Sequence, residues 1–233
     1  MGSPRGGQFE QLVKSQLLYQ TPPVRRSTFI AVAGLKPGDG GINFVIGSTM
    51  LVILDRDGVI NEDSDDYIKT LEEWRPLPGS IEAIARLSRC GFTVVVATNQ
   101  SGLGRGLFEL EDLEAMHQRL DELVGAAGGH LAGIFYCPHT PEDTCDCRKP
   151  KAGLIDAIER ELGVSARGAW LVGDSQRDLE AGRAKGCVPL LVLTGKGERT
   201  RAKIEGSPAW SDVRVFKDLA EAANALIAEH CPE

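Results

Sequence analysis

The chain has 233 residues, 42% hydrophobic and 25% charged, proportions that fit a globular α/β protein and exclude a disordered or collagen-like one. That length can bury a self-sufficient core, so the protein is expected to fold alone, as a monomer, without disulfide support. Its longest apolar runs, residues 91–97 and 188–193, fall far short of the roughly 18 residues of a membrane span, and a net charge of −7 disfavours a general nucleic-acid binder.

Residues 1–49 hold five basic and two acidic residues, eight glycines and the Pro22-Pro23 pair, with no sustained period of 2 or 3.6. They are expected to be an irregular leader: a tail, an expression remnant or a start assigned too early. A basic, acid-poor stretch also fits a transit peptide, the less favoured reading. The folded domain is expected over 50–233. A short apolar strand is predicted over 51–54, then a helix over 79–90 with Ile81, Ile84, Ala85 and Leu87 at helical spacing. Gly91 should end it in a left-handed cap. The pattern continues with a strand over 92–97, a helix over 111–126 and a strand over 134–136. A helix over 154–162, a strand over 169–172, a helix over 178–185 and a strand over 189–193 follow. A strand over 213–216 and a helix over 219–228 close the chain.

Strands alternating with helices in this way imply right-handed crossovers and a mainly parallel, doubly wound, Rossmann-like α/β sheet. Ligands bind such sheets beyond the carboxyl ends of the strands. Three polar clusters fall there: Asp55-Arg56-Asp57, Thr98-Asn99-Gln100 and Gly173-Asp174-Ser175.

A lone D-x-D-G is as often an acidic turn as a site. Two carboxylates as close as Asp55 and Asp57, however, repel unless a cation or proton lies between them. Magnesium is held by one or two carboxylates plus phosphate, and Asp174 would complete the protein's share. Aspartate can also attack phosphorus, giving an aspartyl-phosphate. A dianionic phosphate approaching this acidic group needs compensating charge, which Mg²⁺ and Lys149 would supply. Taken alone, Lys149 reads as a solvated surface lysine.

In order and spacing, Asp55-Arg-Asp-Gly-Val-Ile60, Thr98-Asn99, Lys149 and Gly173-Asp174 through Asp178 resemble the four motifs of the haloacid dehalogenase superfamily of phosphatases. The resemblance covers residues 50 to about 195 and implies a Mg²⁺-dependent phosphomonoester hydrolase. Asp55 would be the nucleophile, and Asp57 would protonate the leaving oxygen and then activate water. Thr98 and Lys149 would hold the phosphoryl oxygens. Asp174 would join Asp55 and the Asp57 carbonyl on the metal. Ser175 is a further contact candidate, and Asp178 is read as a helix-start or supporting group rather than a ligand.

Cys137-Pro-His139 and Cys145-Asp-Cys147 form a second constellation. Without a secretory signal, three cysteines within eleven residues beside a histidine point away from disulfides and towards a closed Zn²⁺ site of three thiolates and one imidazole. The remaining Cys90, Cys187 and Cys231 read as small apolar residues. Acidic neighbours, Glu142, Asp143 and Asp146, argue against a nucleic-acid zinc module. An ion pinning the loop 137–147 would fix Arg148 and Lys149 just beyond it.

This pattern followed by Arg148-Lys149-Pro150 resembles the D-glycero-D-manno-heptose-1,7-bisphosphate 7-phosphatase family, whose pattern histidinol-phosphatases share. The resemblance implies a cytoplasmic enzyme acting on a sugar bisphosphate, in the supply of heptose for bacterial surface polysaccharide. The linker between the two ligand pairs is short for the heptose enzyme. Arg148 would clamp a second phosphate bidentately. By resemblance Asp63, Asn99, Gln100 and Ser101 would contact substrate, with Arg105 a weaker candidate. The acidic run 62–66 would suit the cationic histidinol phosphate, hydroxyl groups of a sugar, or simply solvent. A non-catalytic zinc-stabilised interaction module is the rival from another class. Neither usual insertion point has room for a large cap domain, so loops must enclose the site, and an open site leaves larger phosphorylated substrates as a further alternative.

Overall fold

The computed structural model describes residues 50–231; the expected leader over 1–49 lies outside the described residues. Six strands form one sheet: β1 (Leu51–Leu54), β2 (Thr93–Asn99), β3 (Gly133–Cys137), β4 (Trp170–Gly173), β5 (Val188–Val192) and β6 (Arg214–Phe216). Their order is β3-β2-β1-β4-β5-β6, and all five neighbouring pairs are parallel. The helices are α1 (Ser80–Arg89), α2 (Ser101–Gly104), α3 (Leu110–Ala126), α4 (Gly153–Leu162), α5 (Gln176–Ala184), α6 (Gly197–Ile204) and α7 (Leu219–His230).

β1 shows why the sheet is buried on both sides. Leu51 and Ile53 point into one apolar cluster, with Leu154 and Ile158 of α4 and Ala181 of α5. Val52 and Leu54 point into the other, with Ile84 of α1, Met116 of α3 and Leu226 of α7. All four β1 side chains are fully buried, each worth about 1.5–3 kcal/mol against exposure. Period-2 alternation between two helical layers is the doubly wound arrangement.

Local chemistry sets the helix ends. At Gly91 the backbone turns left-handed (φ 83°), and the Phe92 amide donates to the Leu87 carbonyl at 3.1 Å, closing α1 as glycine there allows. α5 starts earlier than the apolar spacing predicts. Ser175 and Asp178 cap each other reciprocally, which moves the boundary to Gln176. α2 and α6 are absent from the pattern reading, being short and glycine-bounded. Among the described residues no large cap is inserted, and no helix is long and apolar enough to cross a membrane.

The strand order reverses between β1 and β4. Their carboxyl ends therefore open a crevice at the point where this topology receives ligands.

Candidate active site

Asp55 leaves β1 and Asp174 leaves β4, so the strand pairing itself brings them together. The Asp55 amide donates to the Val172 carbonyl at 2.9 Å. Carboxylate oxygens of Asp55, Asp174 and Asp178 all lie within 4.8 Å of one another. Buried Lys149 is set among them, with Nζ 2.9 Å from Asp55 Oδ1 and 2.6 Å from Asp178 Oδ1. Its third donor meets the Ala97 carbonyl at 2.7 Å, so the ammonium is fully engaged. Asn99 fixes the Lys149 backbone from both sides, donating to its carbonyl and accepting from its amide, each at 3.1 Å.

Three carboxylates around one ammonium leave two net negative charges in a largely dry site. Burial, then repulsion from Asp178, pushes the Asp55 carboxyl up to about 7 despite Lys149. Burial, then Asp178 and Asp55, pushes Asp174 up to about 8. For Asp178 burial acts the same way, but Lys149 and the Ser175 hydrogen bonds outweigh it and hold the carboxyl below its usual range. Hard oxygen donors with this charge deficit fit a divalent cation such as magnesium. The backbone closes tightly behind them: a Cβ on Gly58 would lie 2.1 Å from Asp174 Oδ2. The Lys196 amide donates to that same oxygen at 2.7 Å.

The Asp57 side chain is held differently. Arg56 grips it with Nε 3.0 Å from Oδ1 and Nη2 3.1 Å from Oδ2. Asn61 Nδ2 donates to Oδ1 and Gln100 Nε2 to Oδ2, both at 2.8 Å. Gln100 Nε2 also donates to Thr98 Oγ1 at 2.9 Å, which ties the end of β2 to the β1 loop.

Beside this centre, Cys137 at the end of β3 meets His139, Cys145 and Cys147. Sγ of Cys137 lies 3.8 Å from Cys145 Sγ and 3.1 Å from Cys147 Sγ, and His139 Nδ1 lies 3.6 and 3.2 Å from the sulfurs of Cys137 and Cys147. A tetrahedral zinc with bonds of about 2.3 Å to sulfur and about 2.0 Å to nitrogen places its ligands about 3.5–3.8 Å apart. The set fits zinc, slightly contracted at Cys137 and Cys147.

The cleft over the carboxylates, of about 200 Å³, is lined by Thr98, Gln100, Ser101 and both Asp55 and Asp57. Its rim carries Asp63, Arg148, Arg177 and Lys196. Lys196 ion-pairs with Asp63, and Arg199 approaches Asp65 at 3.8 Å. Among the described residues Arg177 has no acidic partner within 4.0 Å. Burial, then the Arg177 charge, lowers the Arg148 pKa, whereas for Lys196 burial and the Arg177 charge are outweighed by the pairing with Asp63, which raises the pKa. Tyr67, also on the cleft wall, has a left-handed backbone (φ 66°), strain of the kind that gathers at functional sites.

A HAD-hydrolase-like family model matches residues 146–222. The D-glycero-β-D-manno-heptose-1,7-bisphosphate 7-phosphatase of Pseudomonas aeruginosa is 59% identical over 180 residues, 77% of this chain and 99% of that protein. The chain belongs to this family of HAD-type phosphatases. The Bordetella bronchiseptica phosphatase of the same name is 49% identical over 179 residues, 77% of this chain and 98% of the relative. A crystal structure of D,D-heptose 1,7-bisphosphate phosphatase from B. bronchiseptica, complexed with magnesium and phosphate, superposes with a TM-score of 0.73 at 49% identity, covering 77% of this chain and 98% of that one. The Burkholderia thailandensis heptose phosphatase structure gives 0.59 at 43% identity, covering 76% and 98%.

Within this phosphatase fold, Asp55, Asp57, Thr98, Gln100, Ser101, Arg148 and Asp174 share one cleft. Asn99 uses its amide on the Lys149 backbone, and Arg148 donates to the His139 carbonyl at 3.2 Å, tying the cysteine loop to the rim. Arg105 lies apart, paired with Glu142 at 3.2 Å. Arg177, Lys196 and the Arg56 grip on Asp57 escape the sequence reading. Gly195-Lys196-Gly197 just past β5 was the available signal for Lys196, since its strand ends at the same edge.

Proposed function

We propose that this chain hydrolyses the 7-phosphate of D-glycero-β-D-manno-heptose 1,7-bisphosphate, as a cytoplasmic monomer that requires Mg²⁺ and carries structural Zn²⁺. The observation that carries the reading is the Asp55, Asp174 and Lys149 cluster at the strand-order reversal, in a chain that shares 59% identity with a phosphatase of that name. The β-anomer is taken from the names of its relatives. A reducing compartment suits three zinc-bound thiolates.

Asp55 attacks phosphorus through a carboxylate oxygen. The bond from phosphorus to the C7 oxygen breaks, Asp57 gives its proton to that oxygen, and an aspartyl-phosphate remains. Asp57, now a carboxylate, takes a proton from water, whose oxygen attacks phosphorus and releases inorganic phosphate with Asp55 restored. Lys149 holds Asp55 in line, and Thr98 with the Lys149 ammonium balances the phosphoryl oxygens. Asp55, Asp174 and the Asp57 backbone carbonyl would hold Mg²⁺, which supplies charge neutralisation for the dianionic phosphoryl group.

The rim favours a bisphosphate over histidinol phosphate. Asp63 is already paired with Lys196, whereas Arg177 and Arg148 offer positive charge to a second phosphate. Asp63 and Ser101 would meet the sugar hydroxyls. Phosphate release from the heptose bisphosphate, other sugar bisphosphates and histidinol phosphate, each with Mg²⁺, tests the reading. Efficient release from the heptose bisphosphate is expected; preference for histidinol phosphate would overturn the substrate, and no release from any phosphomonoester would overturn the activity.

A further inference from the structure

Arg56 is 1% exposed and His117 is fully buried. They lie 61 positions apart in sequence, yet Arg56 Nη1 is 3.3 Å from His117 Nε2. A guanidinium has only donors, so Nε2 must be the acceptor and the ring must be the neutral tautomer with its proton on Nδ1. Burial, then the nearby Arg56 charge, lowers the His117 pKa well below its usual value. The imidazole also packs against the Tyr136 ring, with centroids 5.9 Å apart, so its plane is set from β3.

From the other edge of the same guanidinium, Nε and Nη2 grip both oxygens of Asp57. One rigid planar group thus spans helix α3 and the side chain that faces the leaving oxygen. Asn61 and Gln100 take the remaining acceptor positions of the carboxylate. For Asp57 to exchange a proton, one of these donors must withdraw. Asn61 and Gln100 each also donate elsewhere, to the Glu62 carbonyl and to Thr98 Oγ1, but of the two Gln100 is the one that lines the cleft, whereas Arg56 is held back by His117.

We infer that His117, through Arg56, is a positioning residue for proton transfer by Asp57: it locks the fork so that the carboxyl presents Oδ2 towards the cleft. The inference rests on the phosphatase reading given above and deepens it. His117 touches neither substrate nor metal in this role, and its effect follows the demand of the leaving group for a proton.

The test compares kcat/KM for the heptose bisphosphate, whose alkoxide must be protonated as it leaves, with that for 4-nitrophenyl phosphate, whose phenolate needs far less help. This ratio reports the step up to departure of the leaving group and not the later hydrolysis. His117→Leu is expected to lower the alkyl value tenfold or more and the aryl value less than threefold, with His117→Gln, which keeps an acceptor, restoring much of the loss. Arg56→Lys, which cannot fork, should shift the ratio in the same direction and serves if His117→Leu does not fold by circular dichroism. Asp57→Asn is the reference. If it shifts the ratio while folded His117→Leu or Arg56→Lys matches the wild type, the positioning role is overturned and the phosphatase reading stands. If Asp57→Asn itself leaves the ratio unchanged, the assignment of Asp57 falls and the positioning role with it.

Discussion

Lys149 stands closer to Asp178 than to Asp55, the proposed nucleophile, at 2.6 Å against 2.9 Å. Asp178 also caps α5 by accepting from the Ser175 amide and hydroxyl, so one buried carboxylate joins helix start to ammonium. Asp178→Asn leaves that ammonium with a single charged partner. Breaking a buried pair in this way costs about 3–5 kcal/mol, offset in part by relief of repulsion on Asp55 and Asp174. A net loss of about 2 kcal/mol is expected in urea unfolding, with kcat falling about a hundredfold as Asp55 loses its orientation. Wild-type kcat in a folded Asp178→Asn protein would show that Lys149 needs no second anchor.

Asp55→Asn should separate activity from stability. The proposed nucleophile is gone, so phosphate release should drop by at least about a thousandfold. In the metal-free protein, burial and Asp178 raise the Asp55 carboxyl to about 7. The folded state therefore binds more protons than the unfolded state between the ordinary carboxylate range and pH 7, and stability declines as pH rises through that window. Removing the charge should raise the metal-free melting temperature at pH 8 by a few degrees and flatten its decline from pH 5 to 8. Thermal melts in EDTA measure both, and a lower melting temperature at pH 8 would contradict the repulsion argument.

The motifs were legible because a parallel sheet delivers every strand end to one edge, so Asp55, Thr98 and Asp174 could be placed together by order alone. Strand limits were less so. Thr98 and Asn99 look like loop residues, yet they extend β2 by pairing with Tyr136 and Cys137, because the partner strand also continues to its first thiol. Contacts between distant segments left no local trace: His117 sits at an apolar position of α3 and reads as ordinary core, and nothing near Arg56 announces a buried guanidinium. Arg177 looks like one more solvated helix residue until the fold sets it beside Arg148 and Lys196.

Zinc should be measurable and consequential. One Zn²⁺ per chain is expected by elemental analysis. Stripping it with a chelator and restoring Mg²⁺ should lower the melting temperature and cut the rate about tenfold or more, because Cys147 immediately precedes Arg148 and Lys149. Cys145→Ser should do the same by weakening one corner of the tetrahedron. Full activity in protein restored with Mg²⁺ but lacking zinc would refute the structural role of the metal.

Arg177 offers the sharpest test of the second phosphate. It is exposed at the cleft rim, and together with burial, the larger cause, its charge lowers the Arg148 pKa. Two neighbouring arginines, Arg148 and Arg177, are stabilised when a dianion arrives between them. Solvent screening limits the gain, so Arg177→Ala should raise KM for the bisphosphate about three- to tenfold with little change in kcat. The same substitution should leave KM for a heptose 7-monophosphate within about twofold. The wild-type preference for bisphosphate should also shrink as sodium chloride is raised from 0.05 to about 0.5 M, while the variant's smaller preference shrinks less. An equal KM increase on both substrates would mean that Arg177 holds the reacting phosphate or the loop, not the distant one.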